Sequence, residues 1–153
     1  MATRYWLMKS EPDEFSIDDL AAVDSEPWSG VRNYQARNYM RDDMKPGDGV
    51  LFYHSNAVPP GLAGIARVAG KPYPDPTQFD PESDYYDPKS SVDNPRWQLV
   101  DLRFERKFKR LISLDEIKQH AEALGDFALL RRGNRLSVMP VEKAQWNYLL
   151  KLE

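Results

Sequence analysis

The sequence predicts an α+β domain, most simply a small curved sheet or barrel with short peripheral helices. Two observations favour this class: several short apolar segments patterned like strands, and helix-start signals that interrupt them. The 153 residues are a natural length for one domain over positions 1–153, with enough chain to bury a single core. The sequence contains no internal repeat, heptad pattern or low-complexity tract.

The strand signal is clearest between residues 97 and 108, where apolar and charged side chains alternate. This alternation predicts one long strand with an apolar and a charged face. Shorter strands are predicted at Tyr5–Met8, Gly49–Ser55, Leu62–Gly70 and Leu136–Val141. Pro140 is expected near the start of a C-terminal helix that follows the last strand.

Helix starts are marked by hydroxyl residues followed three positions later by a carboxylate. Ser16 with Asp19, and Ser113 with Glu116, match this capping-box pattern. Asn33 is predicted to cap a helix that runs to about residue 44.

Residues 71–95 form a long segment, rich in proline and acid, without any periodicity. A loop of this length in a compact domain is more often functional or mobile than decorative. We consider three interpretations equally: a lid, a surface for a partner, or an element that screens out unwanted duplexes.

Composition excludes several classes of function. The chain has no cysteine, so disulfides, thiol nucleophiles and cysteine-bound zinc are excluded, and its two histidines, His54 and His120, are far apart in sequence. We therefore expect no metal site and no cofactor. No signal peptide and no apolar segment of membrane-spanning length are recognisable, which predicts a soluble, cytoplasmic protein with no membrane partner. The charged face of the long strand favours a monomer.

The net charge of −3 conceals strong local differences. Residues 75–93 carry a local charge of −5, which leaves +2 for the rest of the chain. Basic residues concentrate in 28–41, 103–110 and 131–135. Local patches, rather than net charge, decide whether a phosphate backbone is attracted, so a nucleic-acid partner is compatible with this sequence.

Signatures of catalysis are weak. There is no G-x-S-x-G elbow, P-loop or dinucleotide fingerprint. His54 and Ser55 are neighbours, but adjacent residues of a strand point to opposite faces and would not easily join one triad.

The segment Trp28–Met40, with the sequence WSGVRNYQARNYM, interleaves aromatic, basic and amide side chains. Nucleobases are held by stacking on aromatic rings, by amides and hydroxyls that read the base edge, and by arginines on the phosphates. The segment therefore indicates recognition of a planar, anionic ligand. On this reading Trp28 and Tyr34 enclose a flipped base, with Tyr53 and Trp97 as further candidate faces.

Several segments, in order and over nearly the whole chain, resemble the signature of the EVE domain family. They are YWLMKSEP at 5–12, WSGVRNYQARNYMRDDMKPGD at 28–48, FYHS at 52–55, GIARV at 64–68, the YPDPTQFDPESDYYDPKS loop, PRWQLVDLRF at 95–104 and RLSVMPV at 135–141. The resemblance implies a PUA-like fold, a small open β-barrel with helices. It also implies binding of DNA or RNA, with 5-methylcytosine-type bases as the leading ligands.

The family motifs transfer a set of site residues to this chain. The base- or ligand-binding positions are Lys9, Ser10, Glu11, Trp28, Asn33, Tyr34, Gln35, Tyr53, His54, Ser55 and Ser137. The phosphate-binding positions are Arg32, Arg37, Arg131 and Arg135. For His54, an equally weighted interpretation is a polar core residue bonded to the backbone.

The favoured hypothesis is a non-catalytic module that recognises a modified base in DNA or RNA. The first alternative is an enzyme acting on a nucleotide, with His54 and either Lys9 or Glu11 as acid–base groups. The second is a sensor of a small nucleoside-like metabolite.

Overall fold

The structure, a computed structural model, describes residues 3–153. Its centre is a six-stranded mixed sheet in the order β2-β7-β4-β3-β1-β8. The strands are β1 (Tyr5–Ser10), β2 (Glu26–Pro27), β3 (Gly49–His54), β4 (Gly61–Val68), β7 (Asp101–Ser113) and β8 (Val138–Val141). A separate two-stranded ribbon pairs β5 (Tyr73–Pro74) with β6 (Gln98–Leu99). The β1–β3 pair is parallel, and the other pairs of this sheet are antiparallel.

Short helices flank the sheet. They are α1 (Ile17–Ala21), α2 (Tyr34–Asn38), α3 (Leu114–Gln119), α4 (Ala121–Leu124) and α5 (Lys143–Leu150). A π-helical turn at Tyr39–Asp43 extends α2, and 3₁₀ turns occupy Pro76–Phe79 and Ala128–Leu130. The predicted α+β class with a curved sheet and peripheral helices is confirmed.

Alternation along the central strands builds a core on each face of the sheet. Trp6 and Met8 of β1 join one buried cluster with Phe52 of β3, whereas Leu7 and Leu51 join the other. Register shifts between β3 and β4, and twice between β4 and β7, mark irregularities that bend strands and increase local twist. The sheet is therefore curled into a half-barrel, and its strand ends near Ser10 and His54 meet beside one opening.

The predicted helix starts are partly confirmed. Ser16 and Asp19 form both halves of a capping box. Ser113 accepts from the backbone amide of Glu116, but the carboxylate of Glu116 forms a bidentate pair with Arg110 at 2.6 and 2.7 Å. The second capping box is therefore half formed, because the guanidinium takes the carboxylate.

Pro140 lies within β8, opposite Trp6 of β1, as the strand predicted at Leu136–Val141 implies, and it does not enter the helix that follows. The strand is at the edge of the sheet, where a missing N–H donor is tolerated. The C-terminal helix begins later, at Lys143, after Glu142 and Gln145 form a reciprocal cap. The long strand predicted from Trp97 is also divided, since Val100 separates β6 from β7.

Candidate nucleic-acid interface

An open cavity of about 380 Å³ lies where β1 ends, beside the segment that follows β2. This volume is within the range of small-molecule sites, about 300–1,000 Å³. Its lining residues are Lys9, Ser10, Glu11, Glu14, Phe15, Glu26, Pro27, Trp28, Ser29, Gly30, Val31, Arg32, Ser55, Tyr85, Arg135 and Ser137. Eight of the fifteen residues predicted from sequence are in this set: Lys9, Ser10, Glu11, Trp28, Arg32, Ser55, Arg135 and Ser137.

Trp28 gives the cavity a rigid apolar wall. Its ring is 8% exposed and meets Phe15 and Phe52 edge-on, with ring centroids 6.3 and 5.6 Å apart. A tryptophan fixed in this way is pre-organised, because its rotamer is already set by core packing.

The polar groups of the cavity come from the ends of neighbouring strands. The Lys9 amide donates to the Ser137 carbonyl and the Ser55 amide donates to the Ser10 carbonyl, both at 2.9 Å, which holds these backbones side by side. The Ser10 hydroxyl donates to the carbonyl of Phe15 at 2.5 Å, so its oxygen is left as an acceptor.

Lys9 places a cation among the residues that line this cavity. Its ammonium lies 5.8 Å from the ring centroid of Tyr53 and forms no ion pair with any carboxylate of residues 3–153. Burial lowers the pKa of Lys9 from its ordinary value. A partly desolvated ammonium without a partner favours an acceptor or an anion beside it.

Tyr85, from the acidic loop, forms the second aromatic wall. Arg32 donates to the Tyr85 carbonyl from Nε at 3.1 Å and from Nη2 at 2.7 Å. The tyrosine ring lies directly over Gly30, where an added Cβ would come within 2.7 Å of it. Gly30 also has a φ of +86°, which glycine adopts at little cost.

Asp75 anchors this loop to the body of the domain. Its carboxylate accepts from the Gly30 amide at 2.8 Å, from Arg32 at 3.1 Å and from Thr77. Burial opposes the charged form, but the hydrogen bonds from Thr77, Gly30 and Arg32 outweigh it and lower the pKa of Asp75. The buried Gln78 adds bonds to the backbone of Trp97, so the loop is docked and supplies part of the cavity wall.

The predicted enclosure of a base by Trp28 and Tyr34 is wrong in its geometry. Tyr34 is outside the cavity, where it stacks on Trp97 with centroids 4.8 Å apart and an interplanar angle of 15°. Arg37 covers the Tyr34 ring at 4.7 Å and donates to the carbonyl of Arg96 at 2.7 Å. Tyr34 and Arg37 therefore brace the start of α2 against the segment before β6.

His54 makes the backbone contact that was one of its two interpretations. Its Nε2 accepts from the amide of Ile17 at 3.1 Å, at the start of α1. Burial is the main reason that the pKa of His54 is lowered. Tyr53 is 3% exposed in the second core cluster, and neither residue lines the cavity.

Asn33 and Gln35 lie at a second cavity, also of about 380 Å³. The Asn33 side chain caps α2 by accepting from the Ala36 amide, so its oxygen is engaged. Gln35 donates to the hydroxyl of Tyr39 at 3.2 Å. Arg131 lines this second cavity and pairs with Asp126 at 2.9 Å.

The four predicted phosphate-binding arginines differ in whether their guanidinium groups already have partners within the domain. Arg32 and Arg37 are held by the internal bonds described above, and Arg131 is ion-paired at the surface. Arg135 lines both cavities, and its guanidinium forms no hydrogen bond or ion pair with the other described residues. It is therefore the arginine best placed to contact an anion between the two cavities.

Sequence reasoning missed Glu26 and Tyr85. Glu26 is partly buried in a two-residue strand, and burial, followed by the charge of Asp101, raises its pKa. No motif marked either residue, because one is in a very short strand and the other in an aperiodic loop.

Residues 3–153 contain no group of three His, Asp or Glu side chains placed to hold a metal ion. None of the helices between these positions has the length and apolar character needed to cross a bilayer.

The half-barrel and its cavity define a class of protein: an α+β domain with an aromatic, mixed-charge pocket at the ends of its central strands. The EVE domain model matches residues 4–152, and the chain belongs to the EVE domain family. Its sheet is the PUA-like half-barrel expected from the sequence.

Known proteins similar to this chain span bacteria and vertebrates. A protein of Pseudomonas putida is 49% identical, with a TM-score of 0.92, and the match covers 97% of this chain and 98% of that one. Thymocyte nuclear protein 1 of Danio rerio is 46% identical over 97% of this chain and 71% of its own length. The crystal structure of human THYN1 in complex with DNA containing 5-methylcytosine is 42% identical, with a TM-score of 0.91, covering 98% of this chain and 97% of that one.

Proposed function

We propose that this protein is a non-catalytic module that binds nucleic acid and takes a modified base, of the 5-methylcytosine type, into the cavity beside Lys9. The observation that carries the proposal is the cavity itself. Its lining joins a fixed tryptophan, a docked tyrosine and Lys9, whose ammonium has no ion-pair partner among residues 3–153, in a volume suited to a small planar ligand.

Each wall has a distinct role in this proposal. Trp28 and Tyr85 contact the faces of the base, and stacking of this kind contributes about 1–3 kcal/mol per base. Lys9 donates to an acceptor on the base edge, and Ser10, Ser55 and Ser137 are hydroxyls at the rim of the cavity. The binding of 5-methylcytosine-containing DNA by human THYN1, a relative over nearly the whole chain, supports this ligand class.

Binding without chemistry is the better supported reading of the same site. An acid–base enzyme needs a proton-transfer group within hydrogen-bond reach of its substrate. His54 is not part of the cavity lining, and its Nε2 is occupied by the Ile17 amide. Glu11 lines the cavity but accepts from Asn56 at 3.2 Å.

The test is a fluorescence-anisotropy titration with short oligonucleotides that differ at one position, cytosine or 5-methylcytosine, in single- and double-stranded DNA. We expect tighter binding of the methylated oligonucleotide, and an approximately tenfold loss of affinity in Lys9→Gln. Lys45→Gln is the control, since it removes one positive charge from an exposed turn outside the cavity.

Three results decide the proposal. A methyl preference that weakens in Lys9→Gln but not in Lys45→Gln supports it. Equal losses in both variants would mean that Lys9 contributes only to general electrostatics. Absence of binding to every oligonucleotide at low salt would overturn the proposal.

A further inference from the structure

Glu26 lines the cavity wall, and among residues 3–153 nothing donates a hydrogen bond to its carboxylate or forms an ion pair with it. Its residue lies opposite Leu102 in the β2–β7 pair, so the backbone that carries it is fixed. Burial and the nearby Asp101 disfavour its charged form and raise its pKa. A carboxylate under this penalty gains from a ligand that donates to it.

Lys9 supplies the opposite hydrogen-bonding character in the same cavity. Lys9 and Glu26 both line it, but they do not form an ion pair with each other. A donor and an acceptor that line one cavity without bonding to each other are both available to a ligand edge that satisfies both.

The two other carboxylates of the cavity are differently placed. Glu11 accepts from the amide of Asn56, and Glu14 is exposed to solvent. Glu26 is therefore the cavity carboxylate that is both partly buried and unbonded within the described chain.

Resting on the proposed function, we propose that Glu26 accepts a hydrogen bond from the exocyclic amine of the bound base while Lys9 donates to the adjacent ring nitrogen or carbonyl. The cavity then selects bases whose Watson–Crick edge presents an amine beside an unprotonated ring nitrogen, which are the cytosine and adenine types. Thymine and uracil present a carbonyl oxygen at that position, and two acceptors would face each other. An unpaired buried polar group of this kind is costly, which makes the rejection strong.

The decisive comparison is between 5-methylcytosine and thymine at one position of an otherwise identical single-stranded oligonucleotide. Both bases carry the 5-methyl group, and they differ at position 4 and in the proton on the neighbouring ring nitrogen. The wild-type protein is expected to bind the 5-methylcytosine oligonucleotide about 5- to 150-fold more tightly, the discrimination that one good bidentate contact provides. An adenine oligonucleotide then identifies which of the two amine-bearing types the cavity accepts.

Glu26→Gln and Glu122→Gln form a matched pair of variants, because Glu122 is exposed on α4 and lies outside the cavity. Each removes one negative charge at nearly constant shape, but only Glu26→Gln replaces the proposed acceptor with an amide that also donates. We expect Glu26→Gln to bring the two affinities to within about threefold of each other, and Glu122→Gln to keep the wild-type ratio. Thermal melts of both variants verify that they fold.

Failure of this inference is distinct from failure of the proposed function. Equal binding of 5-methylcytosine and thymine by the wild type, or an unchanged ratio in Glu26→Gln, would overturn the role of Glu26 while leaving base binding intact. Equal wild-type affinities overturn the role of Glu26 even where Glu26→Gln does not fold. No binding to any of the oligonucleotides would overturn the proposed function itself.

Discussion

The hydrogen bond from the Ile17 amide to Nε2 of His54 requires a neutral imidazole with its proton on Nδ1. Protonation would place a donor opposite a donor and would charge a partly buried ring beside Phe52. Burial is the largest cause of the lowered pKa of His54, and Lys107 adds to it while Asp18 opposes it. His54 is therefore a cap for α1.

This contact makes part of the stability dependent on pH. Because the folded pKa is below the ordinary value of 6.5, the unfolded chain binds a proton more readily than the folded one. The cap contributes fully above pH 6.5, and stability declines as the pH falls below that value. His54→Gln keeps an acceptor and does not titrate, so its denaturation midpoint is expected to fall less between pH 7.5 and 5.5.

The control for this prediction is His120→Gln, which removes the other histidine of the chain. This variant leaves the hydrogen bond between the Ile17 amide and His54 in place. An identical pH profile for wild type and His54→Gln, measured by urea denaturation, would contradict the assignment of His54 as a neutral cap.

Variants of Tyr85 and Tyr34 test where the base is bound. Tyr85 lines the cavity, whereas Tyr34 stacks on Trp97 outside it. Tyr85→Ala is expected to weaken binding of a 5-methylcytosine oligonucleotide by about 5- to 150-fold, the value of one stacking contact. Tyr34→Ala should leave the preference between bases unchanged, and a larger loss in Tyr34→Ala than in Tyr85→Ala would refute this placement of the base.

About half of the residues that line the cavity were predicted from the sequence. The others were missed because only the tertiary fold brings them together. Lys9, Ser10 and Ser55 are close to each other because β1 and β3 run parallel, and the motifs at 5–12 and 52–55 carried them. Tyr34 was predicted to be functional because polar residues surround it in the sequence. No periodicity could reveal that Trp97, more than sixty residues later, covers its ring.

Among the larger elements, the loop of residues 71–95 depends on Gly30 for its docked position, because the Gly30 amide donates to Asp75. The loop could be recognised as unusual from its proline and acid content, but its docking depends on tertiary hydrogen bonds to Asp75 and Gln78. Such contacts have no local sequence signature. The acidic character of the loop follows in part from this anchoring role, because the Asp75 carboxylate accepts from both a backbone amide and Arg32.

A comparison of Gly30→Ala with Gly47→Ala separates the effect of backbone strain on stability from the effect of displacing the docked loop. Both glycines have positive φ, +86° and +92°, so alanine at either position is expected to destabilise the fold by about 1–2 kcal/mol. Only at Gly30 would the new Cβ meet the Tyr85 ring, since nothing is within 4 Å at Gly47.

We therefore expect both variants to melt at lower temperature, and only Gly30→Ala to lose affinity for the oligonucleotide beyond its loss of stability. Calorimetry and anisotropy on the same samples provide the two measurements. Equal affinity of the two variants would show that the position of Tyr85 does not matter for binding.

Sequence patterns predicted where helices begin better than they predicted which strand lies at the edge of the sheet. The capping box at Ser16 is complete because Asp19 has no competing partner, whereas Arg110 of β7 takes the carboxylate of Glu116. Pro140 reads as a helix start in sequence, but it is tolerated in β8 because that strand is at the edge of the sheet. Edge positions depend on strand order, which the sequence does not state.

At the scale of the whole molecule, a negative net charge coexists with a basic route between two cavities. Arg135 lines both of them, and Arg131 and Arg132 line the second. A strand whose base occupies the first cavity would pass Arg135 with its phosphates.

Arg135→Gln is accordingly expected to weaken binding to all oligonucleotides by a similar factor. It should also reduce the slope of log affinity against log salt by about 1. Arg103→Gln, on the exposed face of β7 and outside both cavities, is the control of equal charge. Equal salt slopes for wild type and Arg135→Gln would show that Arg135 does not contact the phosphates.

In the proposed complex, a base leaves its stack and enters the cavity between Trp28 and Tyr85. The most direct measurement is NMR of the complex with an oligonucleotide whose 5-methylcytosine carries a ¹³C-labelled methyl group. We expect intermolecular nuclear Overhauser effects from this methyl group to the rings of Trp28 or Tyr85. Effects from the methyl group only to neighbouring nucleotides, in a complex that is otherwise saturated, would show that the base stays stacked and would contradict the account.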